Sequence, residues 1–85
     1  MTVFYTLDVW DETTLWTTIE KGEAELHRLL ERVGGGKVLQ HTFHNEDDPL
    51  RKWVDYTITN EDGEKFSAMI YPNWLDYSTE LDKEV

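Results

Sequence analysis

Polar and apolar residues alternate at the start of the chain. Residues 2–10 read TVFYTLDVW, which places Val3, Tyr5, Leu7 and Val9 on one side of an extended strand and Phe4, Thr6, Asp8 and Trp10 on the other. Asp11, Glu12 and Thr13 form a polar break suited to a hairpin turn. Residues 14–19 (TLWTTI) resume with strand-forming Thr, Trp and Ile. The pattern predicts a β-hairpin. The rival is one helix beginning near Thr13, since Leu15 and Ile19 stand four apart. Gly22 would then lie in its interior, at a cost of about 1 kcal/mol relative to alanine.

The period then changes to that of a helix. Leu26, Leu29, Leu30 and Val33 follow the i, i+3, i+4, i+7 spacing, which predicts a helix over 23–33 with one apolar stripe. Glu23 and Glu25 near its start and Arg28 and Arg32 towards its end suit the helix dipole. Gly34-Gly35-Gly36 stops it, because glycine readily takes the left-handed conformation of a C-cap. Three more strand-like runs come after the glycines, at 38–44, 53–59 and 66–71. Val54, Tyr56 and Ile58 share a face, as do Phe66, Ala68 and Ile70. The loops between the runs are Asn45-Glu46-Asp47-Asp48-Pro49 and Asn60-Glu61-Asp62-Gly63-Glu64, and the Asp-Gly pair supplies the positive φ of a tight turn. Pro72 is expected to end the sheet, with Trp74 and Leu75 anchoring the C-terminal segment. The expected order is β-β-α-β-β-β, an α+β fold whose antiparallel sheet carries one helix on one face. A single domain over 1–75 is expected, followed by an acidic tail over 76–85.

Charge changes the picture more than any motif. Eighteen Asp and Glu against eight Lys and Arg give a net charge of −10, which repels phosphate and disfavours direct binding to nucleic acid or anionic membrane. Acidity for solubility alone is the plain alternative. Adaptation to high salt fits poorly, since lysine is not depleted relative to arginine. Four Trp, four Tyr and three Phe are too many for a disordered acidic segment, so the chain is expected to fold. The absence of cysteine excludes disulfides and thiolate chemistry and fits a cytoplasmic protein. No apolar run is long enough to span a membrane and the first residues are not a basic stretch followed by an apolar one, so neither membrane spanning nor secretion by that route is expected.

Candidate chemistry is sparse. His41 and His44 stand three apart on a strand and so point to opposite faces, which does not make a metal site with Asp47 or Asp48. His27 lies on the helix's polar side. The 60–64 loop lacks the alternating ligands of a calcium loop, and the glycines follow a helix where a phosphate cradle would precede one. Neither Ser67 nor Ser78 sits in a nucleophile elbow. No enzyme activity, cofactor or metal is expected. The aromatics carry more information. One short helix cannot cover a five-stranded sheet on both sides, so Phe4, Trp10 and Trp53 are expected on an open face with Thr and Asp, unless a returning tail covers them through Trp74 and Tyr77.

A small, acidic, aromatic-rich chain with a helix on an antiparallel sheet resembles the phage-encoded inhibitors of host defence, among them anti-CRISPR proteins and DNA mimics. Val38-Leu39-Gln40-His41-Thr42, followed by acids, is also similar to part of the uracil-DNA glycosylase inhibitor. The inhibitory N-terminal strand of that family is missing, and no residue roles carry over. The resemblance implies a non-catalytic inhibitor that presents carboxylates to the basic groove of a nucleic-acid-processing complex, such as a CRISPR effector, in the host cytoplasm. The acids it points to are Glu46, Asp47 and Asp48 in one loop, Glu61, Asp62 and Glu64 in the other, and Asp76, Glu80 and Asp82 in the tail, beside the aromatics Trp10 and Trp53. The competing expectation is a protein-interaction module, an accessory subunit, antitoxin or homodimer, that binds through the aromatic sheet face with incidental acidity.

Overall fold

A computed structural model describes residues 2–32 and 36–75. Its five strands are β1 (Thr2–Val9), β2 (Glu12–Trp16), β3 (Lys37–His44), β4 (Trp53–Thr59) and β5 (Lys65–Leu75), and its helix α1 is Ile19–Arg32. They form one sheet in the order β2-β1-β5-β4-β3, with every neighbouring pair antiparallel. This is the α+β architecture that the alternation implies, with β5 and β1 paired at the centre although they lie far apart in sequence.

One face of the sheet is apolar because the two-residue period of each strand falls in register across it. Leu7 lies opposite Ile70, which lies opposite Val54, and Val9 lies opposite Ala68, which lies opposite Tyr56. All six are buried, and they meet Leu26, Leu29 and Leu30 of α1 as the core. On β3 the alternation slips at Leu39. A bulge between Val38 and Gln40 leaves that leucine half-exposed and returns His41 and Phe43 to the core side.

The helix begins four residues before the expected start at 23. Thr18 caps it, its Oγ1 accepting from the Lys21 amide at 3.1 Å, and Ile19 extends the apolar stripe back by two turns. Gly22 lies inside the helix, where it was expected to count against one by about 1 kcal/mol. A Cβ there would stand 3.1 Å from Ile70 Cδ1 and 3.6 Å from Trp16 Cδ1, so glycine permits the close approach of helix to sheet. At the far end the Gly36 amide donates to the Leu30 carbonyl at 3.4 Å. The cap expected at Gly34 and Gly35, and the burial expected of Val33, lie outside the described residues.

Two further boundaries differ. Strand β2 ends at Trp16, not at Ile19, because the Thr17–Thr18 bend leads into the capped helix. Pro72 does not end the sheet: β5 runs through it to Leu75. The ladder with β4 ends at the pair of Val54 and Ile70, so at Pro72 only β1 flanks the strand, and a local edge tolerates a residue without an N–H.

Candidate functional site

The ladders fix which loops share an end of the sheet. Val9 pairs with Glu12 and with Ala68, so the β1–β2 turn comes to the end at which β4 passes into β5. Residues separated by some fifty positions are thereby gathered: Asp11 and Glu12 from one connection, Glu61, Asp62 and Glu64 from the other. Trp10, Asp11, Asn60, Glu61, Asp62 and Phe66 line a cleft of about 450 Å³ between them.

Each side of the cleft has a local cause. The β1–β2 connection is only Trp10 and Asp11, and Trp10 adopts φ 52°, an unusual conformation for a bulky aromatic residue. Its indole meets the Phe66 ring edge-on, at 6.1 Å between centroids and 77° between planes. Trp10 therefore does not lie on the open face: the turn falls one residue earlier than the polar break suggests and rotates the indole onto the edge of the core. Opposite it, Asn60 Oδ1 accepts from the amides of Asp62 at 2.9 Å and Glu64 at 3.0 Å, and its Nδ2 donates to Glu64 Oε1 at 3.3 Å. Gly63 supplies the expected positive φ, 82°. The loop's geometry rests on Asn60 and Gly63, which leaves the exposed carboxylates of Glu61 and Asp62 free of structural duty in it.

Glu46, Asp47 and Asp48 lie at the opposite end, about 23 Å away along a seven-residue strand at about 3.3 Å per residue. Asp48 shapes that loop: its Oδ1 accepts from the Leu50 amide at 3.0 Å, and its Oδ2 stands 3.7 Å from Arg51 Nε. Glu46 and Asp47 are exposed. The two acidic loops thus make two patches and not one. Asp76, Glu80 and Asp82 lie outside the described residues, as does the expected return of the tail through Tyr77.

Trp53 is on the face away from the helix, as its alternation requires. It stacks on His44 at 4.1 Å between centroids and 13° between planes, and His44 Nε2 is hydrogen-bonded to Asp55 Oδ2 at 2.6 Å. His41 faces the core side, near Tyr56, so the two histidines are parted as expected. Among the described residues no group of acids and histidines converges as a metal site. The same face carries Phe4, Thr6 and Met69, with Asn73 Nδ2 hydrogen-bonded to Thr6 Oγ1. Asp8 and Asp55 both pair with Met69, placing their Cα atoms about 10 Å apart across two strand spacings, while Lys37 and Lys65 flank Thr59. That face balances its charges, and among the described strands and connections the excess acid sits in the connections at its ends.

The sequence pattern did not single out Trp10 and Asp11 as neighbours of the 61–62 acids, because their meeting depends on the β1–β5 pairing. Among the described residues, no helix is long and apolar enough to cross a membrane. The chain matches no family model, no curated protein and no solved structure.

Proposed function

We propose that the protein is a non-catalytic inhibitor that binds a basic, nucleic-acid-binding partner, such as a CRISPR effector or another defence enzyme, by standing in for the phosphates of its ligand. The observation that carries this reading is the gathering of Asp11, Glu12, Glu61, Asp62 and Glu64 at one end of the sheet. The helix carries four acids against three bases, and there Arg28 grips both oxygens of Glu25 at 2.6 Å, so that layer is nearly neutral. The strands and their connections carry ten acids against four bases, and the potential is accordingly strongest over the turns. Carboxylates held on short turns meet a Lys/Arg groove with little entropy to lose. Binding of this kind weakens as salt rises.

A pull-down repeated at about 50 mM and about 200 mM salt tests the reading, with the bound partner identified at the lower salt. Loss of the partner at the higher salt is the expected result. Retention without change would favour the second reading, a module that binds through the His44–Trp53 stack and the apolar residues around it.

A further inference from the structure

The cleft at the acidic end combines two features that a row of phosphates does not have: an aromatic wall and a volume. We infer that it is a receptor for one arginine side chain projecting from the protein partner, an inference that rests on the basic partner proposed above. The wall is the Trp10–Phe66 pair, and Trp10 is held there by a two-residue turn at φ 52°. The cleft is open to solvent and of about 450 Å³, which leaves room for a guanidinium at the end of its side chain. Asp11, Glu61 and Asp62 stand at its margin, and all three are exposed.

The chemistry of the lining selects the occupant. A flat guanidinium can lie against an indole while its N–H fork donates to carboxylates beside the ring, satisfying both features at once. A lysine ammonium is a compact, strongly hydrated charge that meets the carboxylates but gains less from the ring. An apolar side chain would meet Trp10 but gain nothing from the exposed acids, and an anion would be repelled. Among the described residues the acids of the 46–48 loop differ: Asp48 is spent on the Leu50 amide and Arg51, and a cleft at that end, between Tyr5, the 17–20 segment, Pro49 and Lys52, holds one acid beside one base.

The test uses the full-length chain, labelled with nitrogen-15, and three capped tripeptides, glycyl-arginyl-glycine and its lysine and citrulline counterparts. With the arginine peptide, the Trp10 indole N–H and the amides of residues 60–62 should shift and saturate together. Lysine should bind about two- to fivefold more weakly, the ratio expected of a cation–π contact at an exposed site. Citrulline, the uncharged isostere, should leave the spectrum unmoved. The double variant E61Q/D62N, changed only at exposed positions, should lose the response, and Trp10→Leu should weaken it by a similar two- to fivefold. The inference is overturned if the Trp10 indole does not move, if lysine or citrulline binds as well as arginine, or if residues 46–48 respond equally. An arginine peptide that occupies the cleft, in a protein whose partner is held regardless of salt, would sink the proposed function and leave the cleft standing. Salt-sensitive partner binding with a cleft that ignores the peptide would do the reverse.

Discussion

A Cβ placed on Gly36 would stand 2.7 Å from the Thr59 carbonyl oxygen and 2.7 Å from Leu30 Cδ2. The first of these is backbone and cannot turn aside. Gly36→Ala should therefore destabilise the protein by about 1–3 kcal/mol, the usual effect of forcing extra volume into a packed site. Urea unfolding measures this, and an unchanged midpoint would show that the chain can move away from β4 at no cost. Leu29, 3% exposed, makes the opposite test, since its truncation opens a cavity under the helix. Leu29→Ala should cost about 2–5 kcal/mol in the same assay, and a loss below about half a kcal/mol would mean that the stripe does not face the core. At Gly63 no atom lies within 4 Å of the place a Cβ would take, so its requirement is the φ of 82° and not space.

Between elements, the link that joins helix to sheet most specifically is polar. Tyr56 of β4 donates its hydroxyl proton to Glu23 Oε2 of α1 at 2.7 Å. Burial, then that hydrogen bond, then the neighbouring carboxylate charge raise the Tyr56 pKa well above that of a free tyrosine. The raised value has a definite sign for stability. Unfolded chains lose the tyrosine proton near pH 10 while the folded protein keeps it, so this contribution is complete below about pH 10 and declines as the pH rises beyond it. Tyr56→Phe should cost about 1 kcal/mol at neutral pH and flatten the alkaline decline. A parallel decline in the variant, followed by urea melts across that range, would place its origin elsewhere. Glu25 is held below the usual carboxylate range, first by the hydrogen bond from the exposed Arg28, but this pair lies within one helix and joins no elements.

Element type was legible in the sequence where the period was long and clean. The leucines at 26, 29 and 30 could only be a buried helical stripe, and the alternation of 54–58 and 66–70 could only be half-buried strands. Boundaries were less so, for identifiable reasons. Gly22 reads as a breaker by intrinsic propensity, but tertiary packing against Ile70 outweighs that preference. Trp10 reads as a strand residue, since nothing in its own chemistry announces a left-handed φ. The bulge at Leu39 cannot be seen in a strand that alternates on either side of it. The cleft was hidden for a different reason: its two halves meet only through the β1–β5 ladder, a long-range pairing that local pattern does not encode.

At the scale of the whole molecule, the excess negative charge is placed by topology. Antiparallel pairing sends one acidic loop to each end of the sheet; among the described residues the end with the β1–β2 turn adds Asp11, Glu12 and the Trp10–Phe66 wall, whereas the other end adds Glu20 beside Lys52. The two ends are therefore unequal. Replacing Glu61, Asp62 and Glu64 by their amides should weaken partner binding and its salt dependence more than the same change at Glu46, Asp47 and Asp48, as titration calorimetry at two salt concentrations would show. Equal losses would mean that total charge and not its placement governs binding. A protein that stands in for nucleic acid, as proposed, occupies the site its partner keeps for nucleic acid. Competition between the protein and duplex DNA for the purified partner tests it most directly, read as the partner's occupancy by labelled DNA while the protein is titrated. Mutual exclusion, with DNA displaced in proportion to the protein bound, is the result predicted. A stable ternary complex of partner, DNA and protein would contradict it.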